Sequence, residues 1–349
     1  MPERLRRSDR LLRVLEEYAK VVVVMHDTPD PDAIAAGWGL LALVRARLGK
    51  PVRLVGGGAI VRAENVHMVK LLRPPIDLVD EFTPEDDEAV VLVDCSPEGA
   101  NQLCADGDAR PVAVIDHHGI QGRQVRVRFR DVRPHAAASA SIVAGYLREQ
   151  RVEPSPELAT ALVYALRTEI IGTSVRYSRA ERGIIGWIAK WVDYQALQDI
   201  QNAPLDRRYY EDYIRAIGAT FLHEDVAVSV LGDAGSAEIV GEVADQLIRC
   251  TEIRRVLCGA LVGERLVFSA RTKAGGGNAV ALIGSALRGV GRWGGHPNRA
   301  GGKVHGGEAG APPTQSVIDG IRDRWLKACG VSGVRGTRLV PRRDILEVL

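Results

Sequence analysis

The segment VVVVMHDTPDPD, residues 21–32, decides how the first half of this chain folds. Its four valines and one methionine have neither helical nor alternating periodicity, so the run predicts a strand that is buried on both faces. His26 ends the run, and a proline-rich turn places Asp30 and Asp32 close behind it. Because ligands bind at the carboxyl ends of strands in open α/β sheets, this turn is a candidate site.

Pro29 and Pro31 hold the acidic residues in an extended turn, and we expect Asp32 to cap a helix over residues 33–44. Carboxylates this close repel each other unless a cation neutralises them or they point into water. The turn alone therefore leaves two interpretations open, a metal site and a solvated turn with a helix cap.

Two more apolar runs end in the same kind of residue. Residues 89–93 lead into Asp94, and residues 112–115 lead into Asp116, His117 and His118. One such residue is ordinarily a turn or cap residue, but three parallel strands bring their carboxyl ends to the same edge of a sheet. The repetition favours a metal site at that edge.

Carboxylates mixed with imidazoles suit manganese, magnesium or iron better than structural zinc, which usually binds cysteine. The three segments contain enough ligands for two ions, and two neighbouring ions are a common device for phosphoester hydrolysis. Asp94 is then a candidate for a ligand shared between the ions. Asp116 is a candidate for orienting one imidazole.

The amino-acid composition limits which partners and which cellular compartment we expect for this protein. The 349 residues contain 46 Lys and Arg against 44 Asp and Glu, a net charge of +2 that argues against a protein coating long nucleic acid. The five cysteines are scattered without a CxxC pair, which indicates a reducing cytoplasm. No apolar run is long enough to span a bilayer, and the charged, periodic N-terminus indicates an amphipathic helix.

The second half of the chain predicts a separate α+β unit. The run GGHPNRAGG, residues 294–302, offers successive backbone amides that can surround an anion, although a flexible surface loop is the alternative. His296, Arg299 and Arg271 add groups that bind phosphate. We expect a catalytic domain over residues 1–204, a linker helix over 205–224, a substrate-binding domain over 225–329 and an irregular tail over 330–349.

The motifs around His26, Asp30 and Asp32, together with Asp94 and the Asp116-His117-His118 triplet, resemble those of the DHH phosphoesterases. GGHPNRAGG, with residues 269–271 (SAR) upstream, resembles the first type of DHH-associated C-terminal domain. The resemblance covers about residues 15–328. It implies an α/β fold, with a mostly parallel sheet flanked by helices and a smaller α+β substrate-binding domain.

The resemblance also implies roles for single residues. One manganese ion would be bound by His26, Asp30 and Asp94. The other would be bound by Asp32, Asp94, His117 and Glu169. His118 would contact the scissile phosphate, and the substrate's nucleotide or terminal phosphate would bind Arg271, Gly295 and His296.

The implied activity is a phosphodiesterase or phosphatase, similar to the nanoRNase and pAp phosphatase branch (oligoribonuclease-like) and to the catalytic module of cyclic-di-AMP phosphodiesterases. Its substrates would be short oligonucleotides, cyclic or linear dinucleotides or nucleoside bisphosphates. Mn2+ is the expected metal, with Mg2+ or Fe2+ as alternatives, and a homodimer is compatible with such domains.

Four positions depart from the family pattern. Glu169 stands where the fourth motif usually has aspartate, Ala36 replaces a small hydroxyl residue, and Trp293 and Arg299 replace a frequent glycine and alanine. Glu169, together with Ala165 and Leu166, keeps open a second function, a nucleotide-binding regulatory protein with weakened catalysis. A single-strand-specific exonuclease is a third possibility.

Overall fold

The protein is represented by a computed structural model that describes residues 5–99, 101–105, 109–119, 125–170, 177–305 and 313–341. The chain divides into two compact units, Met1–Ala203 (unit 1) and Pro204–Leu349 (unit 2). The roles that we assigned to the domains stay predictions.

Unit 1 contains a six-stranded sheet in which every neighbouring pair is parallel and the strand order is β3-β2-β1-β4-β5-β6. The order reverses between β1 and β4, the point at which ligands bind in doubly wound sheets. The strands are β1 (Lys20–Val24), β2 (Val52–Gly56), β3 (Ile76–Leu78), β4 (Glu88–Val93), β5 (Ala113–Asp116) and β6 (Phe129–Val132).

The apolar run of β1 is buried on both faces, as predicted. Val21 and Val23 pack in the larger core of unit 1, whereas Val22 and Val24 pack in a smaller core. The helices of this unit are α1 (Arg7–Leu15), α2 (Pro31–Leu48), α3 (Ala63–Leu72), α4 (Ser139–Glu149), α5 (Pro156–Ile170), α6 (Arg179–Ile188) and α7 (Tyr194–Gln201).

Two local predictions in unit 1 are wrong. Asp30, not Asp32, caps α2, because Pro31 occupies the first helical position and the Asp30 carboxylate accepts from the Asp32 and Ala33 amides at 2.9 and 3.1 Å. The alternating sequence VRVRF, residues 125–129, predicts a strand, but β6 begins only at Phe129, where it pairs with β5.

Unit 2 contains a seven-stranded mixed sheet of order β11-β12-β10-β9-β8-β7-β13, in which only β8 and β9 pair in parallel among the strands that the structure describes. The predicted fold class is therefore confirmed. The elements are α8 (Arg207–Gly218), β7 (Phe221–His223), β8 (Val226–Leu231), α9 (Glu238–Leu247), β9 (Arg255–Val262), β10 (Arg265–Thr272), α10 (Ala279–Leu287), β11 (Arg292–His296), β12 (Arg299–His305), α11 (Gln315–Ala328) and β13 (Thr337–Arg338).

Three segments of unit 2 differ from expectation. The linker helix expected over 205–224 ends at Gly218, and Phe221–His223 form β7. The glycine-rich run is a hairpin, because β11 and β12 pair across Pro297 and Asn298. The tail contributes β13, which pairs with β7. No helix among the described residues is long and apolar enough to cross a bilayer.

Candidate active site

The polar residues that follow β1, β4 and β5 meet where the strand order reverses. His26 lies two residues beyond the end of β1, and Asp94 follows β4 directly. Asp116 is the last residue of β5, and His117 and His118 come next. Because β1, β4 and β5 are adjacent and parallel, their carboxyl ends deliver these side chains to one edge, as the sequence predicts.

Asp94 lies at the centre of this cluster. Its Oδ2 is 3.6 Å from Nε2 of His26, and its Oδ1 is 3.6 Å from Nε2 of His117. Two sets of potential ligands result, with ligand atoms within 4.8 Å of one another: His26, Asp30 and Asp94, and Asp94, His117 and His118. One carboxylate thus presents its two oxygens to two sets, which is the arrangement expected of a ligand shared by two cations.

Asp32 is held against the second set by the start of α4. Its carboxylate accepts hydrogen bonds from the amides of Ser139 at 2.8 Å and Ala140 at 2.7 Å. Its Oδ2 lies 3.5 Å from Nε2 of His117. The positive end of α4 therefore stabilises the negative charge of Asp32 and fixes its orientation.

Main-chain carbonyls orient two of the imidazoles. Nδ1 of His26 lies 2.8 Å from the Asp27 carbonyl oxygen, and Nδ1 of His117 lies 3.3 Å from that of Ala136. A proton on each Nδ1 satisfies these contacts, so Nε2, which faces the carboxylates, is the nitrogen that can bind a metal. His118 differs, because its Nδ1 lies 2.7 Å from Oδ1 of Asp116.

The electrostatics of the cluster fit a divalent cation. Burial, reinforced by neighbouring carboxylates, raises the pKa of Asp32 and Asp94 well above the usual range. Burial and the adjacent His118 lower the pKa of His117 to about 4, so this imidazole is neutral and able to bind a metal. Buried carboxylates that repel one another are stabilised by a cation among them, and this oxygen-rich donor set suits Mn2+, Mg2+ or Fe2+.

Glu169 lies in the last turn of α5 and outside the two sets of ligands. Its charge is near enough to contribute to the raised pKa of Asp94. The structure therefore brings the fourth-motif acid toward the cluster without placing it among the ligand atoms that lie within 4.8 Å of each other.

Sequence reasoning missed two residues that support the cluster. The Ser139 hydroxyl donates to Oδ1 of Asp94 at 2.8 Å. Glu181 on α6 accepts from the Ala137 amide at 2.7 Å and from the Ser141 hydroxyl at 3.1 Å, which holds the segment leading into α4. A serine in an alanine-rich helix start and an acid in a capping box carry no sequence signal for this role.

The residues predicted to bind phosphate lie together on the sheet of unit 2. Arg271 and Arg299 are opposite each other in the β10–β12 register, and both contact Asp245 of α9. The Arg271 guanidinium is buried and also donates to the Ser269 hydroxyl at 2.7 Å. Gly294, Gly295 and the backbone of His296 lie in β11, whereas the His296 side chain falls outside the described part of the structure.

Comparisons with known proteins agree with this architecture. A solved structure of an exopolyphosphatase-related protein from Bacteroides fragilis superposes with a TM-score of 0.71 over 93% of this chain and 96% of that chain, at 16% identity. That similarity defines the fold. Residues 20–166, which include the strand ends and all of the clustered residues except Glu169, match the DHH family, N-terminal domain. Residues 20–166 therefore form a domain of the DHH family.

Two curated relatives cover most of the chain. The uncharacterized protein MJ1633 of Methanocaldococcus jannaschii is 26% identical over 90% of this chain and 65% of its own length. The cyclic-di-AMP phosphodiesterase GdpP of Bacillus subtilis is 24% identical over 86% of this chain and 47% of its own length. This chain thus spans about half to two thirds of the length of these relatives.

Proposed function

We propose that this chain is a divalent-metal-dependent hydrolase that cleaves phosphoester bonds in short oligonucleotides, cyclic or linear dinucleotides, or nucleoside bisphosphates. The observation that carries the proposal is the position of Asp94, whose two carboxylate oxygens face two separate sets of ligands. The similarity to a cyclic-di-AMP phosphodiesterase supports a small nucleotide as substrate.

Two ions, which we propose to be Mn2+, would be held by the clustered residues. The first would bind His26, Asp30 and Asp94, and the second would bind Asp32, Asp94, His117 and Glu169. Such ions supply a water nucleophile at neutral pH and neutralise charge on the phosphoryl oxygens. Ser139 and the start of α4 would keep Asp94 and Asp32 in position while the ions bind.

His118 is the proposed contact to the scissile phosphate. Its side chain is 35% exposed, and Asp116 fixes the ring through Nδ1. In this role the imidazole would donate a hydrogen bond from Nε2 to a phosphoryl oxygen that gains charge in the transition state. The role of Asp116 is to orient this imidazole.

Unit 2 would supply phosphate and nucleotide binding, as its resemblance to a DHH-associated domain implies. The proposed ligands are Arg271, Arg299, the Gly294–Gly295 backbone and His296. Two guanidinium groups share the single Asp245 carboxylate, so the site keeps an excess of positive charge for an anionic ligand. The five free cysteines suit a reducing compartment, and we propose a cytoplasmic enzyme.

The test is a substrate panel run on protein stripped with EDTA and then supplied with Mn2+, Mg2+ or buffer. pApA, pGpG, cyclic-di-AMP, pAp and a long single-stranded oligonucleotide are compared while bound metal is counted on the same sample. We expect two ions per chain and Mn2+-dependent turnover of a short substrate. Tight nucleotide binding without product would contradict the hydrolase, and processive cleavage of the long strand would identify an exonuclease instead.

Substitutions of Glu169 distinguish an active hydrolase from a regulatory protein with weakened catalysis. If Glu169 binds the second ion, Glu169→Gln should turn a two-site Mn2+ titration into a one-site titration, while Glu169→Asp keeps both sites. If only Glu169→Asp gives turnover, the natural chain is a regulatory binding protein.

A further inference from the structure

The sheet of unit 2 carries a row of cations on the face that packs against α9. Arg271 Nε lies 2.5 Å from Oδ1 of Asp245, and Arg299 Nη2 lies 3.7 Å from Oδ2 of the same acid. Both arginines therefore point to the α9 side of the sheet. Along β12, side chains alternate between faces, so Lys303 lies on the same side as Arg299.

The opposite face gives an independent check of this alternation. A Cβ atom added to Gly302 would lie 2.2 Å from Cδ1 of Leu287 on α10, so Gly302 faces α10 and its neighbour Lys303 faces away. The Trp293 indole lies against Gly284 of α10, which turns Arg292 away from that helix as well. Arg292 and Lys303 are directly opposite in the β11–β12 register.

On β11 and β12, the two positions between the pairs of cations are glycines, and we call them the floor. Gly294 and Gly301 are directly opposite each other in the register, between the pair Arg292 and Lys303 and the position of Arg299. A Cβ atom at Gly294 would meet nothing within 4 Å, and at Gly301 it would meet only a carbonyl oxygen of Phe268 at 3.6 Å. A ligand can therefore lie directly on the backbone here.

Arg292 and Lys303 form an uncompensated pair of like charges. Both are exposed, and within the described ranges neither forms a recorded ion pair with an acid. Like charges directly across a strand pair destabilise a sheet, which indicates another use for the pair. Arg299 and Lys303 are four positions apart, about 13 Å along a strand, so a single phosphate does not bridge the two backbone positions.

We propose that Arg292 and Lys303 form a second anion subsite, which recognises an additional phosphate of a linear oligonucleotide whose first phosphate lies at Arg271 and Arg299. This inference rests on the proposed role of unit 2 in phosphate binding. The subsite makes affinity increase with the number of phosphates, so ligands with several phosphates bind better than short ones.

The test is fluorescence anisotropy with two labelled probes, pApA and a 5′-phosphorylated pentaadenylate, in EDTA so that no turnover is needed. Arg292→Ala, Lys303→Ala and the double variant are compared with Lys327→Ala. This control removes the same charge from α11, which packs with α10 on the other side of the sheet.

We expect each single variant to weaken pentaadenylate binding about 3–10-fold, and to reduce the salt dependence of binding by about one ion per residue. Lys327→Ala should bind as the unmodified protein does. The preference for pentaadenylate over pApA should largely disappear in the double variant.

Two results would overturn the subsite: no binding of pentaadenylate by the unmodified protein, or unchanged affinity in the double variant. If the double variant also self-associates on a sizing column while its affinity is unchanged, the cations only protect an edge strand. Turnover by the unmodified protein tests the hydrolase separately, because length-dependent binding without turnover rejects the hydrolase and keeps the subsite.

Discussion

Ser139 and Asp94 are joined by a hydrogen bond of 2.8 Å between buried side chains, across 45 residues of sequence. The bond connects the start of α4 to the acid that both sets of ligands share. Because Ser139 also donates its amide to Asp32, one residue positions two proposed metal ligands.

Ser139→Ala removes the hydroxyl that holds Asp94, so we expect the affinity for Mn2+ to fall about 10–100-fold, as for other supports of metal ligands. The fold should lose only about 1 kcal/mol in its free energy of unfolding. Calorimetric titration of EDTA-treated protein with Mn2+ measures the first quantity, and urea unfolding measures the second.

Ser141→Ala is the matched control, because the Ser141 hydroxyl donates to the Ala138 carbonyl and to Glu181, not to Asp94. Its Mn2+ affinity should change much less than that of Ser139→Ala. Equal affinities in the two variants would mean that the hydroxyl of Ser139 does not support ion binding.

Asp94→Asn should abolish binding of both ions, since the two sets of ligands depend on this carboxylate. It should also stabilise the metal-free protein, because the charge is buried and is repelled by Asp30 and Asp116. We expect the metal-free Tm to rise by about 2–4 °C for each kcal/mol gained. The increase in Tm that Mn2+ gives the unmodified protein should be lost.

Scanning fluorimetry with and without Mn2+ measures both effects. Asp77→Asn is a suitable control, because Asp77 lies exposed on β3 of the same sheet and away from the strand ends that form the cluster. Retention of the Mn2+-dependent shift in Asp94→Asn would contradict a shared ligand.

The strand ends are predictable because each apolar run ends at a polar residue. The run after Lys20 ends at His26, and the run after Glu88 ends at Asp94. The supporting roles of Ser139 and Glu181 are not predictable from the sequence. Both residues act through contacts with residues about 40–45 positions away, and no local pattern encodes such contacts. The sequence does not distinguish the cap of α2, because Asp30 and Asp32 both flank Pro31 and only the backbone geometry selects Asp30.

The hairpin of β11 and β12 illustrates the same limit in unit 2. Glycine has little strand propensity, so GGHPNRAGG predicts a loop from local preferences. The two halves of the run instead pair with each other, and the second half also pairs with β10. Gly302 packs against Leu287, where a larger residue would clash. The close packing of Leu287 against this position therefore requires glycine.

Glu181 should make stability depend on pH in the acidic range. Burial opposes its ionisation, but hydrogen bonds from the Ala137 amide and from Ser178 outweigh burial and lower its pKa below the ordinary value of 4.5. A group whose pKa is lowered by folding stabilises the fold above its unfolded pKa, and this contribution is lost as the pH falls through the folded pKa. Glu181→Gln should therefore lose stability at pH 7 but little at pH 3.

Urea unfolding at pH 7, 5, 4 and 3 measures this dependence. Glu153→Gln removes an acid from an exposed turn and serves as the control. A constant difference between Glu181→Gln and the unmodified protein at every pH would contradict the stabilising role of the ionised carboxylate.

Substitution by alanine should affect the fold at one of two adjacent glycines of β11, Gly295, and leave it unchanged at the other, Gly294. Gly295 has a φ of 129°, and an added Cβ would lie 2.4 Å from the Arg299 carbonyl oxygen, so Gly295→Ala should unfold the hairpin or shift it. At Gly294 an added Cβ meets open space, so Gly294→Ala should keep the Tm of unit 2. That methyl group would nevertheless occupy the floor on which we place the ligand, and it should weaken pentaadenylate binding at unchanged Tm. If Gly294→Ala binds the probe with unchanged affinity, the ligand does not lie on this floor.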